Sequence, residues 1–127
     1  MMRVLLIEPD KIFGHITATA LEAGGLDVEW RRSGQAAIDS MDTQTPDIIV
    51  LEPRLGLHNG IEFLYEIRTY TEWQNIPVVV YSLNTQVKND TFKEQFRQLG
   101  VVEVMYKPRT TAIQLAQAIK SKLAVAL

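Results

Sequence analysis

Apolar positions follow two spacings along this chain. Val4-Leu5-Leu6-Ile7, Ile48-Ile49-Val50-Leu51 and Val78-Val79-Val80-Tyr81 are unbroken runs. Such runs read as strands buried on both faces of a parallel sheet. Val101 to Tyr106 reads as a further strand, and Leu26, Val28 and Trp30, alternating with Asp27 and Glu29, as one nearer the sheet edge. Between these segments the spacing turns helical. Ile12, Phe13, Ile16, Ala20 and Leu21 predict a helix with Asp10 as its N-cap and Gly24-Gly25 as its stop. Ser33 opens a short helix carrying Ala36, Ala37, Ile38 and Met41. Asn59 caps another that runs to about Tyr70, with Ile61, Phe63, Leu64 and Ile67 inward. Phe92, Phe96 and Leu99 mark a helix that Gly100 ends, after a loop or frayed helix start from Asn84 to Asn89. Thr110 or Thr111 caps the last helix, whose stripe is Ala112, Ala116, Ile119 and Leu123. Its Leu115, Ala118 and Lys122 side is expected at the surface. Trp73, in the polar connector Thr71 to Asn75, serves either a partner or the packing of a loop.

Strands alternating with helices call for an α/β fold with helices on both faces of a parallel sheet and right-handed crossovers. The expected architecture is a flavodoxin-like (βα)5 three-layer sandwich with strand order 2-1-3-4-5, as one domain over residues 1–127. Four strands end in polar residues with chemistry to offer. The first delivers Glu8, the Pro46-Asp47 strand delivers Glu52, and the Ile76-Pro77 strand delivers Ser82. The last delivers Lys107. Short connections place all four on the carboxyl edge of the sheet, where open α/β sheets put their sites.

Composition narrows the classes of function. Apolar content of 46% with 22% charged residues is ordinary for a globular chain, and the formal charge of −2 argues against a nucleic-acid binder. Lys and Arg form no cluster along the sequence. Cysteine is absent, which removes disulfide and thiolate chemistry and fits a cytoplasmic location. The first apolar run is too short for a signal peptide or a membrane span. His58, with no partner at a useful spacing, is expected as an exposed loop residue.

Taken together, the strand with acids at Val4–Asp10, the Pro46-Asp47 strand with its loop to Asn59-Gly60, Ser82 six positions after Ile76, and Tyr106-Lys107-Pro108 resemble a response-regulator receiver domain of the chemotaxis-regulator (CheY-like) type. The resemblance covers essentially the whole chain. It implies a strand-3 aspartate phosphorylated by a histidine kinase and an acid pair after strand 1 that helps to hold magnesium. It further implies a Ser or Thr and a lysine that contact the phosphoryl group. Ser82 and Lys107 match, and Glu8 matches the first acid with a longer side chain. Pro9 stands at the second acid and Glu52 at the phosphoacceptor. Val104 occupies the place of the aromatic residue that the family swings inward on activation.

These departures shape the expected function. Magnesium demands near-octahedral oxygen ligation, and Pro9 supplies no carboxylate. Asp10 lies one residue late and is committed as a cap. Phosphoryl transfer rests on positioning, where a displacement of about 1 Å costs on the order of 10²-fold. Glu52 also carries one charge towards Lys107 and Ser82, a partial substitute for a phosphoryl group. The expectation is a stand-alone, non-enzymatic pseudo-receiver acting by protein–protein contact without phosphorylation. No cofactor is expected, with Glu8, Asp10 and Glu52 the weak candidates for Mg²⁺. The partner, a histidine kinase or output protein, is expected on the face of helix 4, strand 5 and helix 5, and the protein as a monomer or weak homodimer. Two alternatives stand beside this. One is a phosphorylatable receiver with an altered metal site. The other is a flavodoxin-like FMN binder, against which Glu8-Pro9-Asp10 would repel a phosphate. A structural ion pair between Glu52 and Lys107, with Ser82 merely capping a loop, is the plainest reading of the same residues.

Overall fold

The computed structural model describes residues 2–55 and 59–126, with backbone alone for 123–126. Five parallel strands, β1 (Arg3–Ile7), β2 (Asp27–Arg31), β3 (Ile48–Leu51), β4 (Val78–Ser82) and β5 (Val101–Tyr106), lie in the order β2-β1-β3-β4-β5. Five helices connect and follow them: α1 (Lys11–Ala23), α2 (Gly34–Thr43), α3 (Gly60–Ile67), α4 (Asp90–Gln98) and α5 (Ala112–Ala126). The expected flavodoxin-like order is the observed one.

The central strands show why they are continuous apolar runs. Every residue of β3 and β4 is buried, because helices cover both faces of the sheet. One face packs Leu5, Ile7, Ile49, Leu51, Val78 and Val80 against residues of α2, α3 and α4, including Phe63 and Phe96. The other packs Val4, Leu6, Ile48, Val50 and Val79 against α1 and α5. Alternate side chains of each strand thus feed separate cores. The caps fall where polar residues precede apolar spacing. Asp10 accepts from the Phe13 N–H, Ser33 from Ala36 and Asn59 from Glu62. Thr111 starts α5 with a reciprocal capping box, its hydroxyl accepting from the Gln114 N–H while Gln114 accepts from the Thr111 N–H.

Several expectations need correction. The inward face of α1 is Gly14, Thr17, Ala18 and Leu21, whereas Ile12 and Ile16 are 71% and 53% exposed. The indole of Trp30 on β2 decides this setting. A Cβ on Gly14 would overlap that indole, so only glycine lets the helix lie against it. α3 ends at Ile67 rather than near Tyr70, and a 3₁₀ turn at Thr71–Trp73 follows. Trp73 is buried and belongs to the packing. Leu115 is fully buried, which overturns its assignment to a surface side of α5. α5 packs against both the sheet and the neighbouring α1, so its inward face is wider than the stripe suggests. Asn84 to Asn89 contains a 3₁₀ turn, Thr85–Lys88. His58 and the Leu123 side chain lie outside the described residues. Among the described residues, no helix is long and apolar enough to cross a membrane.

Candidate functional site

Glu8, Glu52, Ser82 and Lys107 follow or end β1, β3, β4 and β5, and the fold brings them into one pocket at the carboxyl edge of the sheet. All four are buried, at 3%, 6%, 0% and 9% exposure respectively. Burial of this depth means that each charge must find its partner inside the protein.

Glu8 is held by backbone and side chain together. Its N–H donates to the Arg31 carbonyl at 3.0 Å, and its own carbonyl accepts from the Trp30 indole at 2.9 Å. Its Oε2 accepts from the Asp10 N–H at 3.2 Å, and its Oε1 accepts from Lys107 Nζ. The Lys107 ammonium lies 4.7 Å from the ring centre of Phe13 and 5.5 Å from that of Tyr81. Tyr81 is fixed in turn by donating its hydroxyl to the Thr110 carbonyl at 2.8 Å. Phe13, one turn into α1, therefore roofs the lysine–glutamate pair. Sequence spacing assigned Phe13 to the core and missed this role; its place three residues after Asp10 was the available signal.

The lysine does not choose the acid that its position suggests. Nζ lies 3.9 Å from Glu52 Oε2, too far for a hydrogen bond, and that oxygen is buried with no hydrogen-bond partner. Burial pushes the Glu52 carboxyl above its ordinary range. The nearby Ser82 hydroxyl and Lys107 draw it back, the Glu8 charge adds to the rise, and Arg54 opposes it. Ser82 Oγ also accepts from the Asn84 N–H at 3.0 Å, closing the turn after β4. Two carboxyl groups thus share one ammonium, and Glu8 holds the close contact.

The donor set does not match a magnesium site. Pro9 has no side-chain oxygen, and its carbonyl already accepts from Arg32 Nε and Nη2 at 3.0 and 2.8 Å. Asp10 is exposed and occupied as the α1 cap. Glu8 has given one oxygen to Lys107 and the other to a backbone N–H. Among the described residues, no three His, Cys, Asp or Glu side chains are placed to hold a metal ion. Val104 is half-buried and packs against the core beneath α4. The neighbouring aromatic, Tyr106, carries the Lys88 ammonium 4.7 Å from its ring centre.

The strand order and the helices on both faces of the sheet define a CheY-like receiver fold. The family model for the response regulator receiver domain matches residues 4–120, and the chain belongs to that family. Over 86 residues the chain is 31% identical to the KDP operon transcriptional regulatory protein KdpE of Escherichia coli (strain K12), covering 68% of this chain and 37% of that protein. Over 107 residues it is 29% identical to the autoinducer 2 sensor kinase/phosphatase LuxQ of Vibrio cholerae, covering 84% of this chain and 12% of that one. The chain therefore spans well under half of either relative. Among solved structures, a sensor protein from Polaromonas sp. JS666 superposes with a TM-score of 0.87 at 20% identity, over 99% and 98% of the two chains. The receiver domain of sensor histidine kinase PA1611 from Pseudomonas aeruginosa, with magnesium in its active-site cleft, gives 0.82 at 22% identity, over 97% and 98%. At these identities the structural likeness speaks for the fold.

Proposed function

We propose that this receiver domain acts in two-component signalling as a pseudo-receiver, held in one state without phosphorylation and working through protein–protein contact rather than catalysis. The observation that carries the reading is the internal pairing of Lys107. A receiver's lysine awaits an incoming phosphoryl charge; here it is hydrogen-bonded to Glu8 and roofed by Phe13. Glu52, at the acceptor position, adds a second resident negative charge 3.9 Å away. The pocket is electrostatically filled, and Pro9 withholds the oxygen that a metal would need. A cytoplasmic location and contact with a kinase or an output protein belong to the same proposal, as does the lack of a required metal.

The test is incubation with acetyl phosphate and magnesium, followed by intact-mass measurement. Wild type is expected to show no adduct of about 80 Da, the mass of a phosphoryl group. Glu52→Asp alone is expected to remain unmodified, and Glu52→Asp with Pro9→Asp to gain the adduct. A stoichiometric, magnesium-dependent adduct on wild type would overturn the proposal in favour of a working receiver with altered chemistry.

A further inference from the structure

Lys and Arg are scattered along the sequence, yet the fold gathers several of them on one surface. Two adjoining grooves, of about 530 and 260 Å³, run beside β5 from Gly100 to Thr110 and share Lys93, Glu103 and Val104. Lys88, Lys93, Arg97 and Arg109 stand along them. Arg97 is bound to Glu94 on the same helix, and Glu103 is paired with Lys122 of α5 at 3.5 Å. Lys88, Lys93 and Arg109 are exposed and make no ion pair among the described residues. Three uncompensated cations thus stand together on a chain whose formal charge is −2. That is a local field opposed in sign to the molecule as a whole, and such a field selects partners by charge.

The floor of the grooves has its own recognition chemistry. β5 is the last strand in the order, so one of its edges has no neighbouring strand. Val102 to Met105 make no main-chain hydrogen bond beyond the β4 ladder among the described residues. Val102 is 44% exposed at this edge. An edge strand offers alternate N–H and C=O groups to an incoming extended chain. The lysines and arginine line the path that such a chain would follow. Lys88 is steadied over the Tyr106 ring, which holds its ammonium at the groove instead of leaving it to wander.

We propose that the β5 edge receives an acidic, extended segment of a partner protein, which adds to β5 as a strand while its carboxylates face Lys88, Lys93 and Arg109. This rests on the reading that the domain works through protein contact, and it names the chemistry of the partner. The open strand edge favours a peptide over a nucleic acid, whose phosphates would use the cations but not the backbone groups.

The test uses the full chain, labelled with ¹⁵N and confirmed unphosphorylated by mass. It is titrated with a ten-residue peptide alternating valine and glutamate. The expected result is a set of chemical-shift changes concentrated on Val101–Tyr106 and the facing side of α4. Affinity is expected to fall roughly tenfold between low and physiological salt. A combined Lys88→Glu, Lys93→Glu, Arg109→Glu variant, with all three changes at exposed positions, is expected to keep the wild-type melting temperature and lose binding. No shift changes, changes centred elsewhere, equal binding of a valine–lysine peptide, or displacement of the peptide by a short DNA duplex would each overturn the proposal. The phosphorylation test is separate. Loss of the peptide result leaves the fixed-state reading standing, and an adduct on wild type leaves the peptide result standing.

Discussion

Arg68 and Lys107 are cations withdrawn from solvent at opposite edges of the same sheet. Arg68 donates to three carbonyls, Leu99 at 2.9 Å, Trp73 at 2.7 Å and Ile76 at 2.8 Å. Those carbonyls belong to the chain entering β4 and β5, so one guanidinium ties both strand entrances to the end of α3. Its fan of donors matches fixed acceptors, and a Cβ on Gly100 would collide with it. Burial lowers its pKa, and among the described residues no carboxylate pairs with it. Lys107 has the opposite surroundings: two carboxyl groups, two aromatic rings, and one acid oxygen left without a hydrogen bond. The amino-terminal edge is saturated and can only hold. The carboxyl-terminal edge is over-supplied with negative charge, and the protein tolerates there what it avoids elsewhere. Such unfavourable local electrostatics concentrated in one pocket support the signalling role proposed for it.

Removing each cation tests that contrast. Lys107→Met strands two buried acids and is expected to lower stability by about 3–5 kcal/mol, read from the urea midpoint at neutral pH. Adding Glu8→Gln should recover part of the loss. A loss below about 1 kcal/mol would mean that the acids do not depend on the lysine. Arg68→Ala is expected to cost less, about 2–3 kcal/mol, because it leaves carbonyls rather than charges unpaired. Arg68→Lys should not restore the loss, since one ammonium cannot reach three divergent carbonyls.

The smallest effect is the most diagnostic. Burial raises the Glu52 pKa in the folded state, so folding favours the protonated carboxyl. Its contribution is complete below the ordinary carboxylate range and disappears as pH rises through the folded-state value. Glu52→Gln should therefore leave acid stability nearly unchanged, raise stability at neutral pH and flatten the curve between. Urea midpoints measured across pH check this. A variant curve parallel to that of wild type would show that Glu52 is as well solvated as a surface acid.

Much of this architecture is legible in the sequence. The four-residue run of β3 and the six residues of β5 stand where the apolar pattern puts them, and Asp10, Ser33 and Asn59 cap the helices that follow. The pocket residues could be read because each follows or ends a strand, and a parallel sheet brings those ends together. The partner of Lys107 could not. Glu8 and Glu52 both reach the lysine, and the choice depends on how the Trp30 and Arg31 contacts hold the Glu8 backbone. The rotation of α1 was hidden for a related reason. Ile12 and Ile16 satisfy a helical stripe, but the volume of an indole on another element sets which face turns inward. The basic groove was invisible because its residues meet only after β5 is laid beside α4.

The chain contains two tryptophans, and the fold assigns one to each edge. Trp30 touches the backbone of the pocket through its indole N–H, while Trp73 is sealed beside the Arg68 clamp. The protein thus carries two optical reporters of different exposure. Quenching and emission can follow the charged edge and the saturated edge separately in one unlabelled sample.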